Sequence, residues 1–391
     1  MSIYKEDIYE AKERLKAWWD HEIIDRPCIA YHVAIADKQG HDFKAFIDYI
    51  DPWFLAQHWD DFETCLDNFE HDLKHIELGG EAIPRFFPNY GSGIMASVFG
   101  ITPKFQSNTV WFRKDTPVNE IVSLLEKVKL NRNNPWYDRL IRITEYSVKR
   151  SNNQYSIALT DLGGVMDILS SFLGPTNIIL TMKRRPDIID ACRSIILEKL
   201  LKAYDDLQTI IERNGGGCNT WLPVWCPKRW YPIQCDFATM LSPKYFRRFV
   251  LPDLITQTEH LDYSIFHLDG PLLLNHLDDI LQQPSITGIQ WAPGAGEENS
   301  NSDKWLPLYK KIQSAGKNLI VDNPGETTNF TSQLYKKLDP KGLFMHLMFS
   351  KKLDAYYYIP EFMGGNGAEG DYKTFKKNYR KELRNKGQTK K

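Results

Sequence analysis

His267-Leu268-Asp269-Gly270 sets an imidazole and a carboxylate two residues apart, a spacing that puts both side chains on one side of a β-strand. His346 supplies a second imidazole. Together His267, Asp269 and His346 have the donor types of a divalent-metal site. The His267 and Asp269 pair equally suits an acid/base couple in which the carboxylate orients the imidazole, or a hydrogen-bonded pocket lining, or a structural role. The residues alone leave these readings open. Asp161, Asp236 and Asp322 add carboxylates for positioning polar groups, with Asp161 and Asp236 as further catalytic candidates. Tyr31, His32, Trp221, Trp225, Gln290 and Trp291 are the side chains expected to contact substrate.

Two weaker motifs are set aside. His71 and His75 stand at i and i+4, but Asp72 replaces the Glu that a zincin base requires and the surrounding sequence is highly charged, so a solvated helix face is expected. Pro293-Gly294-Ala295-Gly296 lacks the Lys-Ser/Thr of a phosphate-binding loop.

The elements that must position these groups follow from periodicity. Ile8, Leu15, Trp18 and Ile23 recur at helical spacing over 5–24. A second helix starts at Pro186-Asp187, repeats apolar residues from Ile189 to Ile210 and stops at Asn214-Gly215. Short β-rich runs lie at 29–34, 155–159, 218–225, 263–267, 286–291, 317–321 and 342–347, with a poorly defined one near 80–87 interrupted by Pro84. Strands alternating with helices call for a parallel sheet, and eight runs are the number that closes a (β/α)₈ TIM barrel. The expected fold class is therefore α/β, a barrel carrying an N-terminal helical extension and an insertion around 88–115. In such a barrel the strands' C-terminal ends form the catalytic face, and Tyr31, His32, Asp161, Trp221, Trp225, His267, Asp269, Gln290, Trp291, Asp322 and His346 fall at or beside such an end. Residues 1–370 are expected to form one domain with helix 5–24 packed on it. A tail, 371–391, follows the Gly364-Gly365-Asn366-Gly367 exit; residues 373–391 carry nine Lys or Arg and one Glu.

Composition narrows the partners. With 49 Lys+Arg against 50 Asp+Glu the net charge is -1, which removes the positive field that nucleic-acid binding uses. No apolar run is long enough to span a bilayer, and the first residues lack a secretory h-region. A cytoplasmic protein acting on a small molecule is expected. Six cysteines without a C-x-x-C pair read as reduced, buried thiols.

Several of these stretches resemble the uroporphyrinogen decarboxylase superfamily, which includes methyltransferases that move methyl groups between corrinoid proteins and thiols. The resemblance lies in DLGGVMDILSSFLGPTNIILTMKRRPD, which ends at Asp187, then Asp236-Phe237-Ala238, Ser242-Pro243-Lys244-Tyr245-Phe246, Pro252 and His267-Leu268-Asp269-Gly270. It covers about 150–350 well and the first 150 residues loosely. The resemblance implies a (β/α)₈ barrel and methyl transfer involving a corrinoid, with a tetrapyrrole or other carboxylate decarboxylase, or a non-catalytic corrinoid or tetrapyrrole binder, as alternatives. Against the decarboxylases, the chain reads Arg26-Pro27-Cys28 without a second arginine. The thiol methyltransferases hold zinc through H-x-C and a later Cys. By that resemblance His267 matches the first ligand, Asp269 stands where a thiolate is expected, and His346 falls near the third. Zinc is the first divalent metal the resemblance suggests, although Asp and His make a harder set than two thiolates. No D-x-H-x-x-G cobalamin signature is present, so a corrinoid would arrive on a partner protein or as a free cofactor.

Overall fold

The computed structural model describes residues 2–34, 52–106, 109–213, 215, 217–322, 334–349, 352–362, 377, 378 and 381. The basic tail, apart from three residues, and the glycine-rich exit lie outside the described residues. Among the described residues eleven strands run β1 (Cys28–Ala34), β2 (Ile76–Gly80), β3 (Arg85–Phe86), β4 (Lys104–Phe105), β5 (Val110–Trp111), β6 (Ser156–Ile157), β7 (Trp230–Ile233), β8 (Tyr263–Asp269), β9 (Gly288–Ala292), β10 (Asn318–Asp322) and β11 (Leu343–Phe349). Seven of them form one sheet in the order β2-β1-β11-β10-β9-β8-β7, parallel except for the antiparallel β1–β2 pair.

The parallel strands read as they must when both faces are covered. All seven residues of β11 and the first four of β9 and β10 are buried, the near-continuous apolar pattern of strands flanked by helices. The molecule is α/β, as expected. A closed eight-stranded ring is not seen among the described residues, because the eighth position is split. Residues 76–80 turn antiparallel to β1, while Arg85 and Phe86 pair in parallel with β6 in a separate two-stranded sheet. Pro84 separates the pieces and cannot donate to a ladder. The run expected at 218–225 also fails to form a strand. Cys218 and Cys226 bridge each other, and the strand that joins β8 is β7, five residues further on. Within the insertion, β5 pairs antiparallel with β4.

The N-terminal helix, Ile8–Trp19, covers the end of the sheet at which the parallel strands begin. Its buried stripe of Ala11, Leu15, Trp18 and Trp19 packs under the strands' first residues. The Trp19 ring lies 4.9 Å from that of Trp230 and 5.1 Å from that of Tyr263, Trp18 lies 5.8 Å from Phe344, and Asn318 donates to the Trp18 carbonyl at 2.8 Å. These partners are the first or second residues of β7, β8, β11 and β10. Burying two tryptophans there removes several hundred Å² of apolar surface from water. The other end is left for polar residues.

The helix expected after Pro186-Asp187 spans Pro186–Ile211 and is tied to the chain beyond the site by Arg193, which grips Asp253 with two bonds of 2.8 Å. All six cysteines are buried and unpaired with one another. Among the described residues no single helix is long and apolar enough to cross a membrane.

Candidate functional site

At the open end, two groups of histidines and carboxylates form, and they differ in shape. In the first, ligand atoms of Asp236, His267 and Asp269 all lie within 4.8 Å of one another. His267 and Asp269 share one side of β8, and Asp236 follows β7 at the start of the short helical turn Asp236–Met240. His267 stands in register with Gln290 on β9, and its Nδ1 hydrogen-bonds the Gln290 Oε1. An amide oxygen only accepts, so Nδ1 carries the proton and Nε2 keeps its lone pair. Trp221 meets the imidazole edge-on, centroids 5.0 Å apart at 87°. The outcome is one imidazole nitrogen and two carboxylates, a harder set than a thiolate site and one suited to a divalent cation with open positions.

Two further acids support this group. Asp161, buried, gathers three donors on Oδ1: the Gly163 N–H at 2.9 Å, Gln234 Nε2 at 3.2 Å and Tyr231 Oη at 3.3 Å. Gly163 sits at φ +75°, the left-handed conformation that glycine adopts without a Cβ penalty. Burial outweighs the Gly163 bond and the His267 attraction, and the carboxyl is pushed up to about 6. Asp167 accepts from the backbone N–H groups of Phe237 (2.7 Å) and Asp236 (3.2 Å) and so fixes the turn that carries Asp236. Burial first, then the Asp236 charge, raises its carboxyl. Desolvation likewise raises Asp236; His267 opposes that shift and Asp269 adds to it.

The second group is linear. Asp322 Oδ1 lies 2.8 Å from His346 Nδ1, and His346 Nε2 lies 3.0 Å from His32 Nδ1, with the two rings near perpendicular at 88°. His346 is therefore engaged at both nitrogens and is not among the residues that converge with His267 and Asp269. This corrects the expected metal trio: Asp236 takes the third place. The reason is sheet order, since β9 and β10 separate β8 from β11 and strands lie about 4.8 Å apart.

Three expected substrate contacts also move. Trp291 follows Gln290 on β9, so the alternation that aims Gln290 at His267 aims Trp291 the other way, where it is fully buried against Trp305. Trp225 lies at the opposite end of the sheet, with the Lys12 ammonium 4.6 Å from its ring and its carbonyl accepting from Trp19 Nε1. Tyr31 lies on the face of β1 opposite to His32, its ring filling the space where a Cβ on Gly79 would stand. Trp221, Gln290, His32, Asp161, Asp236 and Asp322 remain at the open end. Asp167, Tyr231 and Gln234 were not anticipated. Asp167 lies within the DLGGVMD stretch, and the other two were hidden by placing the fourth strand at 218–225.

A cavity of about 280 Å³ opens beside both groups, walled by Asp269, Gln290, Gly294, Glu297, Glu298 and Asp322. A larger depression of about 510 Å³ lies elsewhere, among Phe62, Glu63, Arg142, Glu145, Tyr146 and Lys149. Its charges are partly paired, as in Arg142 with Asp60, and among the described residues no convergent set of metal-ligand atoms lies in it. Position at the strand ends, not volume, identifies the functional cavity.

No known family's sequence profile matches the chain, and no curated protein matches it in sequence. Solved structures do match. One is a methyltransferase from Methanosarcina mazei, 11% identical, with a TM-score of 0.52 over 87% of this chain and 93% of that one. What the two chains share is an α/β fold.

Proposed function

We propose that this protein is a metal-assisted methyltransferase of the uroporphyrinogen decarboxylase type, built on a barrel-like sheet and acting on a small methylated substrate in the cavity beside Asp269. The observation that carries the reading is the convergence of Asp236, His267 and Asp269 at the strand ends, on a fold similar to that of a methyltransferase. The donor set fits a divalent cation: His267 offers the Nε2 lone pair, and Asp236 and Asp269 offer oxygens. Such an ion supplies Lewis acidity at the substrate heteroatom. The chain's own residues do the rest. Gln290 fixes the His267 tautomer, Asp167 fixes the Asp236 turn, Trp221 covers one edge of the imidazole, and Asp161, raised to about 6, takes up a proton at a higher pH than an ordinary carboxylate.

A cavity of about 280 Å³ accepts a small molecule and is too small for a corrinoid macrocycle. If a corrinoid takes part as methyl acceptor, it belongs on a partner protein.

The test is metal content of protein purified without chelators, together with methyl transfer measured before and after chelation. One equivalent of a divalent ion, lost with activity on chelation and in His267→Ala, is the expected result. Metal-free protein that still acts on a carboxylated substrate would overturn the proposal in favour of acid/base decarboxylation.

A further inference from the structure

We propose that the cavity beside Asp269 selects a substrate that carries an ammonium group together with an uncharged methylated oxygen or sulfur, an assignment that rests on the methyl-transfer reading of that site. The charge of the wall carries the first half. Four carboxylates, Asp269, Glu297, Glu298 and Asp322, stand in a wall that holds no Lys or Arg among the described residues. Of the four, Glu297 alone is matched by a cation, the Lys304 ammonium. Glu298 accepts from the Ser302 hydroxyl, and Asp322 lies 2.8 Å from His346 Nδ1. A divalent ion held by Asp236, His267 and Asp269 offsets two charges at the mouth and leaves those of Glu298 and Asp322. A cleft lined by one sign of charge concentrates ligands of the other.

These carboxylates are held in place by the backbone that carries them. Trp305 Nε1 donates to the Glu298 carbonyl at 3.0 Å, Tyr309 Oη to the Ser300 carbonyl at 2.5 Å, and Ser300 Oγ to the Asp322 carbonyl at 2.5 Å. The loop after β9 is thereby pinned to the end of β10, which puts Glu298 and Asp322 in one wall. Gln290 carries the second half. It lines the same cavity and is 3% exposed. Its Oε1 accepts from His267, and its Nε2 has no hydrogen-bond partner among the described residues. A buried donor without an acceptor is costly, and a lone pair on the substrate relieves that cost. An anionic acceptor would be repelled by the wall, whereas an ether oxygen or thioether sulfur accepts without repulsion. The methylated atom is uncharged for a further reason, since a Lewis acid needs a lone pair on it and a quaternary ammonium offers none. The positive charge therefore belongs on a separate group of the substrate, facing Glu298 and Asp322.

The test titrates the full chain, purified without chelators, with three probes that share a methyl ether and differ at the other end: 2-methoxyethylammonium, 2-methoxyethanol and methoxyacetate. Binding is read by ligand-observed NMR. The ammonium probe should bind about tenfold more tightly than the alcohol, with methoxyacetate the weakest. Glu298→Gln, at an exposed position, should cut that preference about threefold. Adding Asp322→Asn, which keeps an acceptor for His346, should bring it close to unity with bound metal unchanged. With metal in excess, Gln290→Leu should weaken the ammonium and alcohol probes alike, about tenfold, and leave their ratio intact. Equal binding of the three probes, tightest binding of methoxyacetate, no binding of any, or a preference that survives Glu298→Gln would overturn the assignment. The ranking requires no turnover. Failure of the methyl-transfer reading shows separately, as protein that lacks both metal and methyl transfer, while the probes still decide the charge preference.

Discussion

The His267 group and the His346 group use the same residue types at the same end of one sheet, yet they arrive at different geometry. In the first, donor atoms of Asp236, His267 and Asp269 crowd within 4.8 Å, because β8 presents two of them on one face and the turn after β7 supplies the third. In the second, Asp322, His346 and His32 are spaced one per strand, and the two nitrogens of His346 meet different neighbours. Convergence suits a cation, whose charge offsets mutual carboxylate repulsion. In the line the lone pairs do not meet at one point. The contrast shows that ligand-type residues at strand ends do not make a metal site until register and strand order bring their lone pairs to one point.

The largest way to break this contrast is His267→Ala. It should cost about 10³-fold in methyl transfer, and direct metal analysis should find the ion gone, while the apo melting temperature changes little. His346→Gln should keep the ion. If His346→Gln also loses it, the two groups are one site and the contrast fails.

Next in size is the pair of neighbours on β9. Trp291→Ala empties a fully buried position and should destabilise the fold by about 3–5 kcal/mol in urea titration, leaving metal binding per folded molecule intact. Gln290→Leu should do the reverse, sparing most of the stability and weakening metal affinity about 10–100-fold, because it removes the acceptor that fixes the His267 tautomer.

Asp161 tests the convergent group's acid reserve. Its carboxyl is raised from 3.8 to about 6 in the folded chain, so between those pH values the folded state binds more protons than the unfolded one. The resulting stability is fully present below 3.8 and is lost as pH rises through 6, about 3 kcal/mol in all. Asp161→Asn, which mimics the protonated form while keeping an acceptor for Gly163, Gln234 and Tyr231, should flatten that slope in urea titrations from pH 4 to 7. An unchanged slope would remove Asp161 as the source.

The smallest effect is expected at Trp225, on the far side of the sheet from both groups. Trp225→Phe keeps the carbonyl that accepts from Trp19 and should alter stability by about 1 kcal/mol, with metal content and kcat unchanged. A large kcat effect would return this residue to the site.

Period and end signals determined much of the framework. The apolar spacing of Leu15 and Trp18 specified the N-terminal helix, Pro186 started the long one, and the strand runs ending at Ala34, His267, Trp291 and Val321 each lie within two residues of an observed strand end. Local pattern sufficed there because each element buries its own stripe or face. The pairing of His267 with Asp269 was legible for the same reason: a two-residue period on one strand needs no partner strand. Tertiary structure decided what periodicity cannot carry. The fourth strand began at Trp230 instead of 218, since both stretches are equally apolar and only pairing with β8 distinguishes them. Which face of β9 looks toward the site separated Gln290 from Trp291. The third member of the convergent set came from a turn held by Asp167, 69 residues away from Asp236 in sequence. His346 went to Asp322 and His32 because two strands stand between it and His267, a separation set by sheet order, which no spacing along the chain encodes.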